Sequence, residues 1–326
     1  MKRRTLLASS IASATVLNPL GAFAQTYPSR PIRWVMPFPA GGPTDAIARK
    51  LADLAGARLG QPIIVDNKPG AGGSIGTGEV ARAAPDGYTF AIAIPDSLIS
   101  VASLIKSVSY DARTDLTPVM KICHAIPVLV AGSGLGVSDF GQLLAAARKT
   151  PGKIAYGTWG AGTLPHLVMK SVEQGSGTAF MDVPYKGLAP VVQDLMGGAV
   201  QLALVPPSLA VQLQGKGYVV PLVTTGGERS PMMPGVPTIQ TQGIDAPILR
   251  STLWTGLVAP KGLPAALLQR WIDVLTSSIN DPEFARFLAA AGQTPLAQAG
   301  ADFGRELATE FVATNTLIRS LGITPQ

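Results

Sequence analysis

The chain has 326 residues, 47% of them hydrophobic and 14% charged, with one cysteine and two histidines. Its formal charge of +6 overstates its basicity: without Lys2, Arg3 and Arg4, 23 basic residues face 20 acidic ones in no long basic run, which argues against nucleic acid as the main partner. Cys123 alone excludes an internal disulfide and a thiolate metal cluster, and two lone histidines without a carboxylate at ligand spacing give no metal site.

The chain opens with a positive start, Lys2, Arg3 and Arg4, then a mostly apolar run over Leu6–Leu20, then Ala22-Phe23-Ala24. Small residues stand at the two positions a signal peptidase reads. Residues 1–24 therefore read as an export signal cut before Gln25, and the protein as periplasmic. Arg3-Arg4 before Thr5-Leu6-Leu7 leaves twin-arginine export open beside ordinary secretion. No later segment is long and apolar enough to be expected to cross a bilayer.

Strand and helix patterns then alternate. Ile32–Met36 reads as a strand and Asp45–Leu59 as a helix, with Ile47, Leu51, Leu54 and Ala55 on one face. Ile63–Val65, a helix near Ile75–Ala83 and the strand Tyr88–Ile94 follow, the last after the turn Pro85-Asp86-Gly87. A similar unit comes next: strand Val128–Ala131, helix Phe140–Lys149, strand Lys153–Tyr156 and a helix from Leu164 to Gln174. Strands at Ala179–Val183, Val200–Val205 and Tyr218–Val223 complete it. Glu228–Ala246 reads as a connecting loop, and Thr252–Val258 as a returning strand. The remainder reads as helical, marked by Leu267, Leu268, Trp271, Ile272 and Leu275, by Phe284, Phe287 and Leu288, and by Phe303, Leu307 and Phe311. This order predicts an α/β protein of two hinged lobes, each with a mostly parallel sheet flanked by helices. Ligands favour the crevice between such lobes, beyond the carboxyl ends of the strands.

Two strand–turn–helix segments carry the candidate chemistry. One is Pro37-Phe38-Pro39-Ala40-Gly41-Gly42-Pro43-Thr44-Asp45, the other Tyr156-Gly157-Thr158-Trp159-Gly160-Ala161-Gly162-Thr163. Glycines let backbone amides face a ligand without side-chain obstruction. Each helix start adds free N–H groups and the positive end of a dipole, so it can hold a carboxylate without an arginine. A hydrogen bond to a charged group contributes roughly 1.5–3 kcal/mol and a helix terminus roughly 0.3–1, against about 8 kcal/mol for micromolar binding. Both segments also fit ordinary glycine turns before helices. Thr44 or Asp45 reads as a helix cap, and Asp45 alternatively as a partner for a ligand's amino group. His166 reads either as a donor to a ligand or as a structural hydrogen-bonding group, and His124 as core. Gly72-Gly73-Ser74-Ile75-Gly76 matches a hydrolase pattern, but several residues separate it from the preceding strand. A secreted hydrolase using Ser74 stays the alternative from another class, and a periplasmic sensor of the same acids a third reading.

With these residues in view, the mature chain resembles the substrate-binding proteins of tripartite tricarboxylate transporters, the Bug or TctC family. The resemblance rests on Pro37 to Gly42, on Asp66-Asn67-Lys68-Pro69-Gly70-Ala71-Gly72-Gly73 and on Pro85-Asp86-Gly87-Tyr88-Thr89. Gly157 to Thr163 with His166-Leu167 follow, then Val183-Pro184-Tyr185-Lys186-Gly187 and Asp194-Leu195-Met196-Gly197-Gly198. Arg229-Ser230 through Pro237-Thr238, Trp254-Thr255-Gly256-Leu257 and Ala259-Pro260 complete it. It implies a type II periplasmic binding fold and a pincer on a ligand carboxylate. Phe38, Ala40, Gly41, Gly42 and Asp45 would form one jaw; Thr158, Trp159, Gly160, Ala161, Gly162 and Thr163 the other. By the same analogy Asp96 and Ser97 face the crevice. Asp182 departs from the family's usual histidine, and Trp159 is bulky for its turn.

The expectation is a monomeric solute-binding protein, not an enzyme, with no cofactor. It takes a small carboxylate (a di- or tricarboxylate, amino acid or aromatic acid) and delivers it to inner-membrane permease subunits. Residues 26–125 with 247–326 form lobe 1, and 126–246 lobe 2.

Overall fold

The computed structural model describes residues 27–324, so the expected export signal at 1–24 lies outside the described residues. Two sheets divide the strands. The first joins β1 (Ile32–Met36), β2 (Ile63–Asn67), β3 (Thr89–Ala93), β4 (Leu116–Ala125), β10 (Leu253–Pro260) and β11 (Thr294–Ala299) in the order β11-β4-β10-β3-β1-β2. The second joins β5 (Val128–Gly132), β6 (Ala155–Thr158), β7 (Met181–Pro184), β8 (Leu202–Val205) and β9 (Val219–Thr224) in the order β7-β6-β8-β5-β9. Leaving out the edge strand β11, the two orders correspond strand for strand. β1 and β6 are equivalent, and so are the turns that follow them.

Each sheet is parallel on one side and antiparallel on the other. β1 pairs in parallel with β2 and β3, and β6 with β7 and β8. β10 and β5, which enter from the other lobe, run antiparallel to both neighbours. A strand arriving across the boundary needs no return helix over its own sheet, so it has no reason to run parallel. β1, IRWVM, is buried almost throughout, as a central strand covered on both faces should be.

Helices cover both faces of each sheet. On one face of the first, α1 (Pro43–Leu59), α8 (Ala265–Ile279) and α9 (Pro282–Ala290) enclose Trp34, Phe90 and Trp271, with the Phe90 and Trp271 rings 4.5 Å apart. On the other, α2 (Ser74–Ala81) and the first part of α10 (Gly300–Ser320) enclose Val35, Trp254 and Phe303. Between them β3 leads through a π-turn, Asp96–Ser100, into the short α3 (Val101–Leu104). The second sheet carries α4 (Phe140–Lys149) and α5 (Leu164–Ser176) on one face, α6 (Leu188–Gly197) and α7 (Pro207–Gly215) on the other. Both α1 and α5 carry proline in the first turn and end on a left-handed glycine, Gly60 and Gly177.

Three links join the lobes. The chain crosses from β4 to β5 at Ile126–Pro127 and returns between β9 and β10. The crossings are tied where the Thr225 amide donates to the Pro127 carbonyl at 2.9 Å. On the return, Ile248 and Leu249 pack into the second core. The third link is α10, which sets Phe303, Leu307 and Phe311 in the first core and Ile318 in the second.

Candidate functional site

The turns after β1 and β6, and the chain after β3, all leave the carboxyl ends of parallel strands. In the first turn, Ala40 and Gly41 are exposed, and Gly41 takes a left-handed conformation with φ of 88°. A Cβ at Gly41 or Gly42 would meet nothing within 4 Å, so this backbone lies open. The helix starts at Pro43 with Gly42 as its N-cap, and no side chain caps it. The expected cap at Thr44 or Asp45 is thus corrected. Proline at the first helical position sets the start before Thr44, and Asp45 comes to lie inside the first turn.

Asp45 reaches back instead. Its Oδ2 accepts the Gly41 amide at 3.0 Å, Arg49 donates to both oxygens at 2.9 and 3.1 Å, and Asn67 Nδ2 donates to Oδ1 at 3.0 Å. Burial pushes this carboxyl up, but Arg49, Asn67 and the Gly41 amide together hold it below the ordinary aspartate range. With these four bonds made, its hydrogen bonds hold the turn in shape. Asn67 Nδ2 also donates to the Phe38 carbonyl at 3.0 Å. The Phe38 ring packs beside Gly73, whose added Cβ would sit 3.0 Å from Phe38 Cζ and 2.9 Å from Ser97 Cβ. The glycine-rich stretch 70–73 is thereby the seat on which the first turn and Ser97 meet.

The second turn is buried at Thr158, Gly162 and Thr163 and already engaged. Thr158 Oγ1 donates to Asp182 Oδ1 at 2.9 Å and accepts the Gly160 amide at 3.3 Å. Thr163, the N-cap of α5, donates from Oγ1 to the Gly160 carbonyl at 2.6 Å. His166 Nδ1 accepts the Gly162 amide at 2.9 Å, a structural hydrogen bond within the turn. Burial holds the His166 imidazole below its ordinary range. Gly162, at φ 73°, lies against Leu104 of the first lobe: an added Cβ would be 2.3 Å from Leu104 Cδ2. Gly160 and Ala161 are half-buried.

Trp159 Nε1 donates across the boundary to Asp96 Oδ2 at 3.0 Å. Asp96 as a whole is half-buried, but its Oδ1 is shut off from solvent and has no hydrogen-bond partner. Burial pushes this carboxyl up to about 6, against the pull of the indole N–H, the Leu164 amide and the Ser100 hydroxyl. Phe38, Gly73, Ser97, Asp96 and Trp159 therefore form a continuous path from one turn to the other. A small cavity at the boundary is lined by Asp96, Ser100, Leu164, Leu167, Thr252 and Glu310 among others, and by none of residues 38–45.

Leu104 and Arg49 were not singled out by sequence, and Asn67 only as part of the glycine-rich stretch 66–73. Arg49 stands four residues after Asp45 on a helix, a spacing that announces an ion pair; Leu104 carried no such signal. Ser74 is buried at the start of α2, well beyond the end of β2 at Asn67. His124 lies half-buried on β4, and Cys123 is buried with its thiol pushed up to about 12 by burial.

Two mixed α/β lobes, joined by paired crossings with strand–turn–helix elements at their boundary, define a solute-binding protein of the type II periplasmic kind. The model of the tripartite tricarboxylate transporter family receptor matches residues 47–323. Protein BugT of Bordetella pertussis is 33% identical over 287 residues, covering 88% of this chain and 87% of BugT. The periplasmic binding protein BugD superposes with a TM-score of 0.81 at 30% identity, covering 92% of this chain and all of that one. R. palustris Rpa4515 with adipate gives a TM-score of 0.84 at 29% identity, over 92% of this chain and all of that one. The chain belongs to the tripartite tricarboxylate transporter receptor family, TctC.

Proposed function

We propose that this protein captures a small carboxylate between its lobes in the periplasm and delivers it, closed and loaded, to inner-membrane permease subunits of tripartite tricarboxylate type. The observation that carries the reading is the path from Phe38 through Ser97 and Asp96 to Trp159, which sets two equivalent strand–turn–helix elements at one lobe boundary. An adipate complex among the superposable structures supports the ligand class. The first turn, Phe38 and Ala40 to Gly42, would offer its exposed backbone to the carboxylate. The second turn, Thr158 to Thr163, would close over it. The moving bodies are residues 26–125 with 247–326 against 126–246, turning about the crossings at Ile126–Pro127 and Thr225. Because both turns contact the ligand only when the lobes are together, the ligand stabilises the closed state.

Calorimetry with adipate, citrate, glutamate and benzoate tests this. At least one should bind one-to-one at micromolar strength or better. Gly41→Val and Gly160→Val, each placing a branched side chain on a positive-φ turn, should weaken it tenfold or more. Parent-like affinity in both variants, or no binding by any of the four acids, would end the proposal.

A further inference from the structure

Bringing the lobes together encloses a carboxyl group with no cation beside it. Asp96 opens the π-turn after β3 and meets the Trp159 indole through Oδ2, while Oδ1 is left without a partner. Among the described residues no lysine, arginine or histidine lines the cavity that Asp96 borders. α5 brings Leu164 and Leu167 to it; His166, on the same helix, is turned to the Gly162 amide. The return crossing brings the hydroxyl residues Ser251 and Thr252. From α10 comes Glu310, which accepts the Trp254 indole N–H at 2.9 Å and stands 4.0 Å from Lys121, itself paired with Glu306. Within its own turn Asp96 has Ser97 and Ser100, and the Tyr110 hydroxyl donates to the Ser97 carbonyl. The only other ionisable side chain on the cavity is thus a second acid. An ionised Asp96 is disfavoured there by lost solvation, which outweighs the opposing pull of the Trp159 indole N–H, the Leu164 amide and the Ser100 hydroxyl.

We propose that Asp96 is a proton-loaded latch: it positions the Trp159 indole across the boundary, and the lobes take up a proton at Asp96 as they close. The inference rests on the closure reading above but needs no ligand. In the open form the carboxyl meets water and titrates near the ordinary value of about 4. Enclosed, it is pushed up to about 6. The form that holds the proton more tightly is favoured as pH falls, so closure strengthens between about pH 6 and about pH 4. A difference of about two pH units corresponds to roughly a hundredfold in the closed-to-open ratio.

Small-angle X-ray scattering of the ligand-free protein from pH 7.5 to 4.5 reads the lobe separation. The parent should contract on acidification across that window. Asp96→Asn, uncharged and of the same shape, should be closed at every pH with a flat profile. Trp159→Phe alters no titratable group and should lower the closed fraction throughout. A parent that fails to contract overturns the latch, as does a parent-like slope in Asp96→Asn or an unchanged closed fraction in Trp159→Phe. Should Asp96→Asn not fold, the parent's slope and Trp159→Phe decide. A protein showing this profile while binding none of the four acids would sink the transport reading and leave the latch standing.

Discussion

The turn after β1 and the turn after β6 hold equivalent places in two sheets of the same strand order, and the chain spends them differently. The first lies open: Gly41 has nothing near its missing Cβ, and the bonds that shape it come from Asp45, Arg49 and Asn67 of its own lobe. The second is packed: Gly162 rests on Leu104 and Trp159 bonds Asp96, both from the other lobe. Equivalent topology therefore does not mean equivalent duty. One turn leaves its backbone open; the other carries the contact between lobes. Substitutions that treat the two alike should give unlike results.

Glycine replacement should break the symmetry most visibly. Gly162→Ala sets a methyl 2.3 Å from Leu104 Cδ2 on a backbone at φ 73°. Overpacking costs about 1–3 kcal/mol and the left-handed conformation about 1–2, so a total loss of about 2–5 kcal/mol is expected in urea unfolding. Gly41→Ala carries only the conformational cost, about 1–2 kcal/mol. A double-mutant cycle with Leu104→Ala should show coupling of at least about 0.5 kcal/mol for Gly162 and none for Gly41. Equal losses at the two glycines would refute the contrast.

The next effect belongs to the open turn. Asp45→Ala strips partners from the Gly41 amide, Arg49 and Asn67. Because the Arg49 side chain is 46% exposed, the loss should be about 1–2 kcal/mol. Its pH dependence follows from the direction of the shift. The folded carboxyl titrates below the unfolded one, so its stabilisation is complete above about pH 4 and is lost as pH falls through the lower folded value. The gap between parent and Asp45→Ala in thermal melts should hold steady from pH 7 to 5 and narrow towards pH 3. A gap that widens in acid would mean that Asp45 is not held by these partners.

Much of the fold was legible in the sequence, and the contrast between the two turns was not. Ile32–Met36 and Phe140–Lys149 match the structure end to end because apolar period and turn signals agree there. β4, Leu116–Ala125, went unread: Thr117, Pro118, Lys121 and His124 interrupt its apolar run, and only the neighbours β10 and β11 make it a strand. β11 lies within a stretch that reads as helical, α6 and α7 went unread, and the strands before them start at Met181 and Leu202 rather than at Ala179 and Val200. Both glycine turns announced themselves through composition. That one would be open and the other packed did not, because the difference is made by Leu104 and Asp96, distant in sequence from Gly162 and Trp159. Contacts of that kind have no local period.

The smallest expected effect separates folding from closure within the packed turn. His166→Leu removes the acceptor of the Gly162 amide, a loss of about 1 kcal/mol at pH 8. Burial holds the His166 imidazole below its ordinary range. The unfolded chain therefore takes a proton near pH 6.5 that the folded chain refuses, and stability falls as pH drops below that value. His124, held down by burial and by Lys121, adds to the same trend. The acid loss of stability should thus be smaller in His166→Leu than in the parent, with His124 supplying the remainder. Closure runs the other way, since acid favours the enclosed Asp96. If the two pH dependences are separate, His166→Leu should flatten the melting profile between pH 7 and 5 and leave the scattering profile of the ligand-free protein unmoved. A variant that shifted both together would show the packed turn and the latch to be one cooperative unit rather than two.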